Sequence, residues 1–142
     1  MKLFRVISRL TSTALLSSLL MAGAISALAH HVDENFSVKE YNEFHRVLHP
    51  LQHEALPRKD FQRIRSNTGE LVKHGEAIVK LGVPAGTAEK SVEEFRKEIK
   101  KFSDALAKFS EHAKGGTDEQ LEGSFSAVHD SFEMLAGMLP RK

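Results

Sequence analysis

Three histidines repeat at four-residue intervals in the stretch FHRVLHPLQHEALP, which covers residues 44–57. Residues four apart on an α-helix lie one turn above each other, so His45 and His49 can bind the same ion. Each step of four residues also advances by about 40° around the helix. This angular count places His45 and His49 on the flank of the apolar stripe and turns His53 toward water.

A proline follows the second of these histidines. Pro50 has no N–H group and its ring clashes with the carbonyl of Arg46, at a cost of roughly 3 kcal/mol in a straight helix. We expect a kink that changes the direction of the His49 side chain. The alternative is a helix that ends at His49.

His129, near the C-terminus, lies at the matching level of the fourth predicted helix. Counted at 1.5 Å per residue from the same end of a bundle, it shares its level with His45. Flank residues of antiparallel neighbours about 8–10 Å apart can converge on one ion. His45, His49 and His129, with Glu133 as a candidate fourth ligand, predict a site for Zn, Cu(II) or Ni(II). The alternative is that these histidines only pair with carboxylates.

Four runs of apolar residues at helical spacing predict the elements that position these side chains. They cover residues 41–55, 61–78, 92–113 and 121–139. Short breaks at Pro57, residues 82–86 and residues 115–116 separate them. The pattern predicts an all-α fold, an up-down-up-down antiparallel four-helix bundle.

Local motifs refine this prediction. Thr117-x-x-Gln120 is a capping box that predicts the start of the fourth helix, and Ser91-x-x-Glu94 or Thr87 predicts the start of the third. Gly75 lies on the inner face of the second helix, where it allows close approach of a neighbour. The alternative use of that space is a cofactor niche.

The N-terminus predicts export. A cationic start with Lys2, Arg5 and Arg9 precedes an uncharged segment that closes on the A-x-A sequence of residues 27–29. This is the pattern of a cleaved secretory signal; an uncleaved membrane anchor is the alternative. We therefore expect a signal peptide at 1–29, a flexible tail at 30–36 and the bundle at 37–142, with a periplasmic or secreted location and no membrane association after cleavage.

Cleavage there would make His30 the first residue of the exported chain, followed by His31. An N-terminal amine beside an imidazole can chelate Cu(II), which predicts a second metal site; a disordered polar tail is the alternative. His74, with Glu70 four residues before it, is interpreted as a surface pair. His112 suits the C-terminal end of the third helix dipole.

Composition excludes several classes of function. The chain has no cysteine, which excludes disulfides, thiolate metal sites and covalent haem. Without the three signal cations, 17 Lys and Arg face 19 Asp and Glu, with no basic stripe for nucleic acid. The sequence shows no Ser/His/Asp order, Gly-rich phosphate loop or positioned acid pair, so we do not expect an enzyme.

The segment FSAVHDSF resembles the haem-attachment helix of cytochrome c-prime bundles, with His129 at the axial-ligand position. Phe125 and Val128 stand where that family has its haem-binding cysteines. The four-helix plan is also similar to periplasmic b-type cytochrome bundles, a resemblance that implies non-covalent haem held by His45 or His49 together with His129.

HRVLHPLQHEALP resembles the first helix of periplasmic nickel–cobalt resistance sensors. That resemblance implies metal ligation by His45, His49 and His129. Together these observations predict an exported bundle that binds a divalent transition metal for sensing, buffering or resistance and that can have a periplasmic protein partner. The alternatives are a non-covalent b-type haem electron-transfer protein and a metal-free protein-interaction module.

Overall fold

A computed structural model describes residues 35–140, and the predicted signal peptide, His30 and His31 lie outside this range. Its four α-helices are α1 (Lys39–Pro50), α2 (Phe61–Leu81), α3 (Val92–Gly115) and α4 (Asp118–Gly137). A π-helical turn, Leu51–Ala55, continues α1, and a 3₁₀ turn, Glu89–Ser91, precedes α3. Residues 35–140 contain no strand, and the prediction of an all-α four-helix bundle is confirmed.

The helices pack mainly against their neighbours in the sequence. Close backbone approaches join α1 to α2, α2 to α3 and α3 to α4. In the part of the chain that is described, α1 and α4 make few or no such approaches. Aromatic side chains join these two helices instead, with Phe132 of α4 packed against Tyr41 and Phe44 of α1. No helix between residues 35 and 140 is long and apolar enough to cross a membrane.

The apolar positions predicted from helical spacing form the core. The largest fully buried side chains are aromatic: Tyr41, Phe44, Phe95, Phe102, Phe109, Phe125 and Phe132. Leucine, isoleucine and valine side chains from all four helices fill the space around them. Burial of this apolar surface is the main favourable contribution to folding, and it holds the flanks of α1 and α4 in place.

The prediction for the start of α4 is correct. The Thr117 hydroxyl accepts from the Gln120 N–H, and the Gln120 side chain accepts from the Thr117 N–H. The first of the two predicted starts of α3 is also correct, since Ser91 is the residue that directly precedes the helix, but neither the Ser91 nor the Thr87 side chain makes a capping hydrogen bond to it. The 3₁₀ turn leads directly into α3 there, since its own backbone hydrogen bonds satisfy the first N–H groups.

Gly75 is the point of close contact between α2 and α3. A Cβ atom at this position would lie 2.5 Å from a terminal methyl group of Leu106. The interpretation of Gly75 as a packing position is therefore correct. Gly82 ends α2 as predicted, because its φ of +72° lies in the region that side chains disfavour.

An arginine of α2 holds the C-terminal end of α3. The Arg65 guanidinium donates to the carbonyl oxygens of His112, Ala113 and Gly116 and to the carboxylate of Asp118. The last carbonyl groups of a helix have no hydrogen-bond partner within it. The Arg65 guanidinium therefore supplies donors to carbonyl oxygens that would otherwise need water. No local pattern in the sequence predicts this role of Arg65.

Tyr41 is fully buried, and its hydroxyl has no hydrogen-bond partner among residues 35–140. Burial disfavours the phenolate and raises the pKa of Tyr41 above its ordinary value of 10.0. A raised pKa contributes stability that is present below pH 10 and is lost as the pH rises above it. We therefore expect the folded protein to resist phenolate formation above about pH 10 and to unfold as the phenolate appears.

This expectation is measurable because Tyr41 is the single tyrosine of the chain. Phenolate absorbance and helical circular dichroism are recorded together during an alkaline titration, with a sample in denaturant as the control. The two signals should change together in the native sample. Phenolate formation near pH 10 with full helicity retained would contradict the expectation.

Candidate functional site

The histidines of α1 form a row that ends in the π-helical turn. Pro50 does not end the helix, which excludes the predicted alternative of a break at His49. The chain widens instead into the turn Leu51–Ala55, where the Leu56 N–H bonds to the carbonyl of Leu51 five residues earlier. A wider turn accommodates the proline ring and advances fewer degrees per residue. Consequently residues four apart lie more nearly above one another than in an α-helix.

The imidazole rings of this row lie in contact. The ring centroids of His45 and His49 are 5.2 Å apart, and those of His49 and His53 are 4.5 Å apart. His53 is exposed, as the angular count predicts. Its proximity to His49 was not predicted, because the count assumed 100° per residue through the turn. We call His45, His49 and His53 the histidine row.

Aromatic side chains hold the first member of the row. The His45 ring stacks on Phe132 with an interplanar angle of 18°, and the edge of Phe36 packs against it at 5.4 Å between centroids. Phe36 is itself fastened to α1, because its backbone N–H donates to the Asn42 side chain and its carbonyl accepts from it. The His45 side chain therefore has little freedom to rotate away from α4.

His129 lies on α4 one turn before Phe132. Its ring nitrogens face two carboxylates of the same helix, Asp130 at 3.3 Å and Glu133 at 3.9 Å. The His129 side chain is 24% exposed. Phe132 of α4 stacks on His45, and the convergence of His129 with the histidine row stays a prediction.

The side chains of residues 35–140, as they lie, include no group of three or more His, Cys, Asp or Glu that could hold a metal ion. The histidine row is thus a line of imidazole rings, in which two adjacent rings can together bind one metal ion. The ring spacing suits such pairs. Two imidazoles that share one ion through bonds of about 2.0–2.1 Å have centroids roughly 4.5–5.3 Å apart for bond angles of about 90–110°.

Carboxylates near the histidine row are already paired. Glu43 lies 3.4 Å from Lys39 of its own helix and 3.8 Å from His74 of α2. Glu54 pairs with Arg63 at 3.0 Å. These contacts leave the imidazoles as the principal metal-binding groups on this part of α1.

The two remaining histidines serve the packing of the helices. His74 lies between Glu43 and Glu70, so it joins α1 to α2 as well as forming the predicted pair within its own helix. His112 lies in the last turn of α3, and its Nδ1 is 2.9 Å from the carbonyl oxygen of Gln120 in α4. A carbonyl oxygen only accepts, so Nδ1 carries the hydrogen in this contact.

A groove between α2 and α3 is lined by Val72, Glu76, Val79, Lys80 and Leu106, among others. Its lining combines no metal-binding groups, and no pattern in the sequence pointed to it.

Fold and side chains together define an all-α four-helix bundle with a histidine row on its first helix. Comparison of the chain with protein-family models, with curated proteins and with solved structures finds no match. The predicted resemblances to cytochrome c-prime and to metal sensors therefore gain no support beyond the shared four-helix plan.

Proposed function

We propose that this chain is an exported helical bundle that binds a divalent transition metal ion, with His45 and His49 as the primary chelating pair. The observation that supports the proposal is their ring spacing of 5.2 Å on a rigid helix. Two histidines at positions i and i+4 of a helix are a recurrent metal-binding arrangement. Imidazole ligands suit Zn, Cu(II) and Ni(II), and water completes the coordination where protein ligands do not.

Two further groups are candidates for the third ligand. His53 lies beside His49 and reaches the ion from the same helix, which gives a chelate along α1. His129, with Glu133, reaches it from α4 if its side chain rotates away from Asp130, which gives a site that joins two helices. A site of the second kind would stabilise the α1–α4 contact, where the backbones are far apart, and this would suit a sensor or a buffer of metal.

The proposal predicts tight binding of about one Zn, Cu(II) or Ni(II) ion per chain. His45→Ala and His49→Ala should each weaken binding tenfold or more, and the double variant should lose little beyond the weaker single variant, because either change already spoils the shared site. Isothermal titration of metal-free protein measures these affinities. His112→Ala changes a histidine of α3 that contacts the Gln120 carbonyl; it is the control and should bind as the native protein does.

Bound metal should also raise the unfolding temperature, since an ion that binds only the folded state stabilises it by about 2.7 kcal/mol at a hundredfold excess over Kd. The proposal fails if His45→Ala and His49→Ala both bind metal as tightly as the native protein. A Soret absorption band in protein produced with a haem supply would instead favour the cytochrome alternative.

A further inference from the structure

Asn35, Phe36 and Ser37 form the tripeptide Asn-Phe-Ser shortly before α1. Asn-x-Ser, with any middle residue except proline, is the acceptor sequence for N-linked glycans, which are attached to exported proteins. Of the three asparagines of the chain, Asn35 alone is followed two residues later by serine or threonine. A motif of three residues often arises by chance, so its structural setting decides whether it has meaning.

The structure places Asn35 where a glycan fits. Its side chain is exposed, and the chain around it is irregular until α1 begins at Lys39. The next side chain, Phe36, is the one that packs inward, against the rings of His45 and Phe132. A sugar on Asn35 therefore extends into solvent without disturbing these rings.

The surface beside Asn35 also has room for the first sugar. A shallow depression there is lined by Phe36, Ala136, Gly137 and Pro140, among others. An atom added to Gly137 would meet open space within the described part of the chain. Alanine and glycine take little space, so this end of α4 leaves the depression accessible to a sugar ring.

The other two residues of the motif are held by the folded chain. The Ser37 hydroxyl donates to the carbonyl of Pro140 at 2.9 Å. The Phe36 N–H donates to the Asn42 side chain, and the Phe36 carbonyl accepts from it. Serine and threonine share a hydroxyl group, so an enzyme that recognises the motif must contact this group. The motif is therefore open to recognition only before the bundle has formed.

The position of the motif in the chain allows that order of events. With the predicted cleavage after Ala29, Asn35 is the sixth residue of the exported chain. Pro140 follows Ser37 by 103 residues. The contact that holds the Ser37 hydroxyl thus forms only after nearly the whole chain has been exported.

We infer that Asn35 is an acceptor site for an N-linked glycan, which is attached during export and before the bundle forms. The donor is a sugar chain carried on a lipid pyrophosphate. The side-chain nitrogen of Asn35 forms a bond to the first carbon of the sugar and loses one proton. The bond between that carbon and the pyrophosphate oxygen breaks, and the lipid pyrophosphate leaves with the electron pair.

Mass spectrometry of the exported protein from its natural host tests the inference. Trypsin cleaves after Lys39 and releases the peptide that contains Asn35, which should carry the added mass of a sugar chain. Asn35→Gln and Ser37→Ala should each lose this addition, whereas Ser37→Thr should retain it. Asn67→Gln, at an asparagine outside the motif, is the matched control and should leave the addition unchanged.

An unmodified Asn35 in the protein from its natural host would overturn the inference, as would full modification of Ser37→Ala. Asn35→Gln keeps the contact between Ser37 and Pro140. It should therefore have the unfolding temperature of the native chain produced without a glycan, which separates loss of the acceptor from a failure to fold.

Host membranes that contain the transferase and its lipid-linked donor test the order of events. The native chain, produced without a glycan, is added either folded or freshly diluted from denaturant. The unfolded chain should be modified and the folded chain should not, and equal modification of the two would overturn the assigned order. The inference goes beyond the proposed function and shares with it only the prediction of export. Metal titration of the same protein is a separate measurement, so failure of one is distinguishable from failure of the other.

Discussion

Replacing Phe132 with alanine is expected to lower the free energy of unfolding by about 3–5 kcal/mol. The ring is fully buried and contacts four other rings, those of Phe36, Tyr41, Phe44 and His45. Because α1 and α4 are joined mainly by rings, with few or no close backbone approaches, the cavity cannot close without movement of a whole helix. Denaturant titration followed by circular dichroism measures the loss.

Met134 provides the matched control for this change. It lies two residues later on α4 and is 56% exposed, so Met134→Ala should alter the free energy of unfolding by only about 0.5 kcal/mol or less. Equal effects of the two substitutions would show that the rings do not carry the α1–α4 contact. Phe132→Ala should also release the His45 ring and so weaken metal binding, whereas Met134→Ala should not.

Replacing Arg65 with methionine is expected to cost about 2–3 kcal/mol, the scale of hydrogen bonds that involve a charged group. Its guanidinium makes four hydrogen bonds of 2.9–3.0 Å at the end of α3, and its side chain is only 25% exposed. The positive charge also interacts favourably with the negative end of the helix dipole. Methionine keeps much of the apolar stem and removes every donor.

Arg63 serves as the comparison, since it lies on the same helix and pairs with Glu54 at the surface. Arg63→Met should cost about 0–1 kcal/mol, the usual range for an exposed ion pair. Arg65→Lys should recover little stability, because an ammonium group cannot reproduce the planar fork. Recovery of native stability by lysine would mean that charge alone matters at this position.

The periodic spacing of apolar residues was sufficient to predict the helices and the core. Some patterns depend only on residues that are neighbours in the chain, so the sequence shows them directly. Examples are the 3.6-residue periodicity, the Thr117 capping box and the glycine at residue 82. Ser91 was correctly predicted as the residue before α3, but its side chain makes no capping hydrogen bond, because a 3₁₀ turn that sequence spacing does not reveal leads into the helix. The prediction of a close approach at Gly75 was correct for a similar local reason, the absence of a side chain.

Sequence alone also determined the candidate ligands, since the types and four-residue spacing of His45, His49 and His53 are visible without a fold. What it could not determine was the rotation after Pro50. The wider turn that relieves the proline clash changes the angle per residue, and an extrapolation at 100° per residue cannot include that change.

Only the tertiary structure decided the contacts between distant residues. Arg65 reaches the end of α3, and Phe132 stacks on His45, because these contacts depend on how helices are rotated and spaced against one another. The height of a residue along the bundle can be counted from the loops in the sequence. The rotation of each helix about its own axis is set by the packing of large rings such as Phe44 and Phe132. The burial of the Tyr41 hydroxyl likewise results from packing by surrounding elements, which no local pattern in the sequence records.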